Sequence, residues 1–376
     1  MHLRTLGNTG LKVPILGIGS SPFRHGTPKT CALLLEQAVE LGVTYYDTAR
    51  SYVNGEEALA NVPPHVKEQM VIATKTGARG GKYCLEDLQR SLRTMKHDRI
   101  DVWMAHMIQT DVDYEQCTAL GGFCDIAIAA RQAGLVRATG ASFHAPTRLI
   151  LRAIEERAFD VVMFQFNLIG RETVFGSSIA SYREKLLPVA RSNGTGVVVM
   201  KVLAGGELRH GASRLQFVAN PVRGRGVTEG ALRYVAMNPD IATAVVGMSG
   251  TDELVRNVMA VEDLDDTHFP RFLEWTNEVA DVDHGECTRC GECLTVCPQK
   301  IEIPKIFRLH DQLRFFGIAG VTRYKYAMVD PKASACSMCG KCEEVCPQMF
   351  DIEKALSVAH EALTFQASNT LNRIAV

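Results

Sequence analysis

Two short stretches hold most of the chain's cysteine. CTRCGECLTVCP begins at Cys287 and CSMCGKCEEVCP at Cys336, each with four cysteines in twelve residues. Both follow C-x2-C-x2-C-x3-C-P, and the likeness continues through Ile303 and Lys305, matched by Ile352 and Lys354. The stretch is an internal duplication. Thiolates at this spacing suit [4Fe–4S] clusters: three close cysteines wrap one region of a cubane and the fourth comes from further away. With the fourth cysteine of each run serving the other cluster, Cys287, Cys290, Cys293 and Cys346 hold one. Cys336, Cys339, Cys342 and Cys297 hold the second. Gly291 and Gly340 let the backbone pass close to a cluster, and Pro298 and Pro347 turn the chain away. Paired zinc sites are the alternative, since zinc takes four tetrahedral ligands from C-x2–4-C pairs. Zinc would leave the third and fourth cysteines of each run unexplained, so the spacing favours iron and sulfur.

A second set of reactive residues is dispersed. Asp47, Lys75 and His106 each close an apolar, β-branched run: TYYDTA, MVIATK and DVWMAH. The other such runs are VPILGIG, ATGAS, VVMFQFN, GVVVMKVL and TAVVGM, and segments of helical period lie between them, from CALLLEQAVELG to TDELVRNVMAVEDL. Eight strand-then-helix units in about 260 residues imply a parallel sheet, and at this length a (β/α)8 TIM barrel, fold class α/β. A doubly wound sheet competes, but Gly17-Ile18-Gly19 runs into Ser20, Ser21 and Pro22, without the third glycine of a dinucleotide fingerprint. A barrel carries its site at the C-terminal ends of its strands. Those ends here are Asp47, Lys75, His106, Ser142, Gln165 with Asn167, Met200-Lys201 and Gly247-Met248-Ser249. Any one of them alone reads as a surface group or a satisfied core residue. Three successive strands ending in Asp, Lys and His point to a site, because charged groups are seldom buried unless paired.

With those residues in view, the chain resembles the aldo-keto reductase family. The resemblance rests on YYDTARSY (Tyr45 to Tyr52), ATKTG, WMAH, TGAS and GVVVMKVLAGG, in order, over roughly residues 1 to 260. It implies a catalytic tetrad of Asp47, Tyr52, Lys75 and His106 and a nicotinamide cofactor, NADPH in preference to NADH. The nicotinamide amide would meet Ser142 and Gln165, with Asn167 close by. The segment from Met200 and Lys201 through Leu203 and Gly205 would cover the pyrophosphate. Gly247, Met248, Ser249, Arg256 and Asn257 would hold the adenosine end, at a helix start suited to anions. Two positions depart from the family pattern. Ser249 stands where an Arg or Lys commonly meets a 2′-phosphate, leaving Arg256 as the substitute cation. Phe143 follows Ser142 where Asn is usual, to stack near the nicotinamide, shape the pocket or pack. The expected pocket is Ser20 to Phe23, Met107 to Gln109 and Phe143-His144. The chemistry fits the residues: Tyr52 gives a proton to the alkoxide formed at a carbonyl, Lys75 lowers the tyrosine's value, and His106 bonds the carbonyl oxygen.

Composition changes near residue 275 to 285, so residues 1–275 are expected to form the barrel and 276–376 a second domain. IPKIFRLHDQLRFFGI and DIEKALSVAHEALTF have helical period. The tail therefore resembles a small, mainly α-helical two-cluster ferredoxin domain, and the whole chain the ferredoxin-fused branch of the family. With Lys+Arg at 41 and Asp+Glu at 42, no partner among nucleic acids is expected. No apolar run suits a signal peptide or membrane span, and a cytoplasmic protein is expected. Cys31 and Cys124 are expected to be buried, and Cys84 and Cys117 have no nearby histidine to activate them. The expected substrate is a small carbonyl or alcohol. Hydride moves two electrons and a cluster one, with no flavin motif to join them. The clusters therefore read as a conduit to an external redox protein, or as structural or oxygen-sensing groups. A nucleotide-sensing or electron-transfer subunit with little turnover is the reading from another class.

Overall fold

The eight apolar runs become the eight strands of a closed parallel barrel. Residues 1–145, 147–167, 185–203, 226–270, 287, 291–316, 319–346 and 351–364 are described in the computed structural model of the chain. An antiparallel hairpin, β1 (Leu3–Thr5) and β2 (Lys12–Pro14), precedes the barrel. The barrel strands are β3 (Leu16–Gly19), β4 (Tyr45–Asp47), β5 (Val71–Thr76), β6 (Ile100–Ile108) and β7 (Val136–Phe143). They continue with β8 (Val161–Gln165), β9 (Gly196–Met200) and β10 (Thr243–Gly247). Each pairs with the next in parallel, and β10 returns to β3, with Val246 opposite Ile18. Strands buried on both faces must be apolar throughout, which is why these segments read as continuous rather than alternating runs.

The hairpin was not foreseen. VPILGIG reads as one strand, yet Val13 and Pro14 belong to β2 and only Leu16–Gly19 to the barrel. Leu6, Leu11 and Val13 join the barrel's interior cluster with Tyr45, Met104 and Val198. The hairpin is tied down by Arg4, whose guanidinium donates to the carbonyls of Ala236, Asn238 and Ile241 at 2.8–2.9 Å.

The barrel unit carries helices α1 (Pro28–Glu40), α2 (Gly55–Leu59), α3 (Pro64–Lys67), α4 (Gly81–Met95) and α5 (Asp111–Thr118). α6 (Phe123–Gln132), α7 (Thr147–Glu155), α8 (Leu187–Asn193), α9 (Val227–Ala236) and α10 (Thr251–Val261) follow. A Thr27 capping box with Pro28 in the first turn starts α1, and a Thr110–Asp113 capping box starts α5. Phe143 is buried and meets Phe159 edge-on at 6.2 Å, so of the readings open to it, it packs. Cys31 is buried but Cys124 only half-buried, and burial pushes the Cys84 thiol up to about 12 and Cys117 to about 11.

The second unit is helical: α11 (Glu292–Val296), α12 (Ile303–Phe316), α13 (Ala319–Ala327), α14 (Lys341–Glu344) and α15 (Ile352–Thr364). Ile301, Ile303, Ile306, Leu309, Leu356 and Leu363 share a core with Cys293 and Cys342. The Tyr326 hydroxyl, 2.7 Å from His360 Nδ1, accepts from Ala333 N–H at 3.1 Å, closing α13 onto α15. The expected boundary near 275 lies outside the described residues.

Candidate active site

Parallel closure brings the strand ends together on one rim. Lys75, in β5, is 2% exposed, and its ammonium donates to Asp47 Oδ1 at 2.6 Å and to the Thr48 carbonyl at 2.7 Å. A buried lysine demands such partners. Tyr52 hangs from the turn after β4, its ring centroid 5.5 Å from Lys75 Nζ and 5.6 Å from the His106 ring, edge-on at 80°. All four residues of the implied tetrad thus meet at one place.

The electrostatics differ from expectation in one respect. The tyrosine value is raised, by burial and then by Asp47, rather than lowered by Lys75. The ammonium is bonded to the Asp47 carboxylate, and that carboxylate adds to the effect of burial on the phenol. Burial likewise pushes the Asp47 carboxyl up against the pull of Lys75. His106 is driven down to about 3 by burial and then by Lys75, and His144 to about 4 by burial and then by Lys201. Both imidazoles are therefore neutral at pH 7, and His106 has one N–H to donate and no charge to repel the ammonium.

Arg79 and Glu56, which the sequence reading missed, hold this cluster in place. The Arg79 guanidinium donates to the His106 carbonyl at 2.6 Å and the Met107 carbonyl at 2.9 Å, while Asp113 Oδ1 accepts from it at 3.2 Å. Met107 sits at φ 57° where the β6–β7 register shifts between Ala105 and Ile108. Bulges of this kind re-aim a side chain. Glu56, 1% exposed, accepts from Thr74 Oγ1 at 2.7 Å and pairs with Arg50, fastening the turn that carries Tyr52 to β5. The available signals were an Arg in the glycine-rich ATKTGARGG turn and the acid pair Glu56-Glu57 opening a helix.

Of the residues expected to hold a nucleotide, Ser142, Gln165 and Asn167 are buried at the ends of β7 and β8. Ser142 Oγ accepts from Met107 N–H at 2.9 Å, Lys201 Nζ lies 3.5 Å from Gln165 Oε1, and Asn167 Nδ2 donates to the Lys201 carbonyl at 3.4 Å. Asn167 Oδ1 is buried with no partner among the described residues. A buried acceptor of this kind fits a ligand amide. Met200 and Leu203 are half-buried near this edge, and Gly205 lies outside the described residues. Gly247 ends β10, Met248 is buried, and Ser249 donates through its N–H (2.8 Å) and hydroxyl (2.9 Å) to Glu253 Oε2 in the first turn of α10. Arg256 is exposed and Asn257 half-buried on the same helix.

In the helical unit, a cavity is lined by Cys297, Cys336, Cys339 and Cys342, with Ile301, Ile303, Ser337, Glu353 and Leu356. One cysteine of the first run thus joins three of the second at one cavity. Cys287 and Cys346 pack against the same core as Cys293, and Cys290 lies outside the described residues.

A closed eight-stranded parallel barrel with buried polar groups along its C-terminal rim defines the class of (β/α)8 proteins. The chain belongs to the aldo/keto reductase family, whose sequence model matches residues 16–274. A 4Fe-4S dicluster domain matches residues 283–350. The chain is 25% identical over 302 residues to the uncharacterized oxidoreductase YqkF of Bacillus subtilis, covering 69% of this chain and 91% of that protein. It is 26% identical over 305 residues to L-galactose dehydrogenase of Arabidopsis thaliana, covering 70% and 89%. The holo form of an aldo-keto reductase from Bacillus halodurans shares the fold, with TM-score 0.59 and 24% identity over 73% of this chain and 96% of that one. The protein is an oxidoreductase with an iron–sulfur domain. No described helix is long and apolar enough to cross a membrane.

Proposed function

We propose that the barrel reduces the carbonyl of a small molecule, or oxidises the corresponding alcohol, with Tyr52 as general acid in one direction and general base in the other. The observation that carries this reading is the convergence of Asp47, Lys75, Tyr52 and His106 within one buried cluster. Ser142, Gln165 and Asn167 would hold a nicotinamide, and Lys201 and the start of α10 the rest of an NAD(P)H molecule. When bound, that cofactor supplies or accepts hydride. The chain's own residues do the remainder. His106, neutral, donates to the substrate oxygen and stabilises charge as it develops. Tyr52 transfers the proton, and Lys75, held by Asp47 and Thr48, places a positive charge beside the phenolate left behind. The raised tyrosine value keeps the proton in place until charge appears on the substrate oxygen.

The eight cysteines of the tail would hold two [4Fe–4S] clusters, as four thiol side chains around one apolar-walled cavity support for one of them. Such clusters carry single electrons. Here they would exchange electrons with an external redox protein, or serve as structural or oxygen-sensing groups.

NADPH is the preferred nucleotide, with Arg256 as its 2′-phosphate partner. The domain division at 275 follows the same reading, and a cytoplasmic location agrees with the cluster chemistry. The decisive variant is Tyr52→Phe. It should lose turnover on every carbonyl of a panel by at least about 10²-fold while binding nucleotide as the parent does. Full turnover in that variant would remove Tyr52 from the mechanism.

A further inference from the structure

The two cysteine runs are copies, but their surroundings are not. Glu353 lines the cavity of Cys297, Cys336, Cys339 and Cys342, and its Oε1 accepts from Gly340 N–H at 2.7 Å. In return Glu343 Oε1 accepts from Glu353 N–H at 2.9 Å, so the start of α14 and the start of α15 are locked by a reciprocal exchange. The duplication places Pro304 opposite Glu353 and Leu294 opposite Glu343. The glycines themselves keep their roles, with Gly291 at φ 85° and Gly340 at φ 71° each opening a short helix. The first run therefore has the same backbone turn without either carboxylate.

We infer that Glu353 sets the two clusters apart, holding the cluster of Cys297, Cys336, Cys339 and Cys342 at the lower reduction potential. The inference rests on the cluster reading above. Reduction adds one electron to a group already carrying four thiolates. A carboxylate on the cavity wall raises the energy of that reduced form, and the apolar walls of Ile301, Ile303 and Leu356 leave the charge poorly screened. Gly340 N–H, committed to Glu353, is also withdrawn as a donor to cluster sulfur, which acts in the same direction. One backbone donor, Met338 N–H, lies 3.4 Å from Cys336 Sγ and works the other way. Lys341 and Glu344 are exposed, oppose each other in sign and are screened by solvent.

The test is a redox titration of the full-length, iron-loaded protein without oxygen, followed by electron paramagnetic resonance. Iron is counted first. Far fewer than the about eight irons of two cubanes would sink the cluster reading itself. With the irons present, the wild type should show two one-electron steps, and a single shared step would overturn the inference. Glu353→Gln keeps an acceptor for Gly340 and removes the charge. It should move the lower step upward and leave the higher one in place, whereas moving neither, or both alike, would overturn it. Ser337→Asp adds a second carboxylate to the exposed rim of the same cavity and decides the matter if the glutamine variant loses iron. It should push the lower step further down, and an unmoved step would show that wall charge does not set the potential.

Discussion

Lys75 and His106 hold the electrostatic logic of the barrel mouth. One is a buried cation paired to Asp47, the other an imidazole that the cation and burial keep neutral. The histidine carries a stability consequence whose sign can be worked out. Its folded value, about 3, lies below the ordinary 6.5, so between those pH values the unfolded chain binds a proton that the folded chain refuses. That stability is present in full above pH 6.5 and is lost as pH falls, by at most about 1.4 kcal/mol per pH unit for one histidine. Urea midpoints measured from pH 7 to pH 5 should fall less steeply in His106→Gln than in the parent. At the other edge of the rim, Ser249 is held by Glu253, whose charge would oppose the proposed 2′-phosphate, and Arg256 is the cation proposed to meet it. Isothermal titration should show Arg256→Ala weakening NADPH about tenfold with little effect on NADH, and Glu253→Gln strengthening NADPH relative to NADH, shifts of about 1.4 kcal/mol. Arg79 and Glu56 were hidden in the sequence for a plain reason. Their partners, the His106 carbonyl and Thr74, are 27 and 18 residues away, and no local spacing reports a bond across a barrel rim.

Among elements, the strands were legible and the hairpin was not. Strand positions follow from hydrophobic continuity along apolar runs of the sequence, a local property. The hairpin strands exist because Arg4 and the Leu6–Val13 cluster attach them to the barrel, contacts that no local run reports. Gly7, at φ 54°, shows how tight that attachment is, since a Cβ there would run into Gly196 N and the Gly194 carbonyl. Gly7→Ala should cost about 1–3 kcal/mol, read as a lowered thermal midpoint, with Gly10→Ala costing less because open space surrounds it. The bulge at Met107 was likewise unreadable, because the Arg79 side chain that meets the Met107 carbonyl comes from 28 residues away.

At the scale of the whole molecule, an oxidoreductase barrel and an iron–sulfur unit share one chain, and their chemistries move electrons in different numbers. The protein purified without oxygen should contain about eight irons, and NADPH alone should leave its cluster absorbance unchanged, because hydride transfers a pair and a cluster accepts one. Bleaching by NADPH would instead reveal a relay joining the two units. The order of strands, the strand-end places of Asp47, Lys75 and His106, and the paired cysteine runs were legible in the sequence alone, since each is a matter of local period or short spacing, while Tyr52 entered through the family resemblance. Tertiary structure decided what charge and distance require. It buried Tyr52 beside Asp47 and so raised its value instead of lowering it, packed Phe143 on Phe159, and set Glu353 at one cysteine cavity where the other run has only proline. Burial, pairing and field depend on groups far apart along the chain, and only folding brings those together.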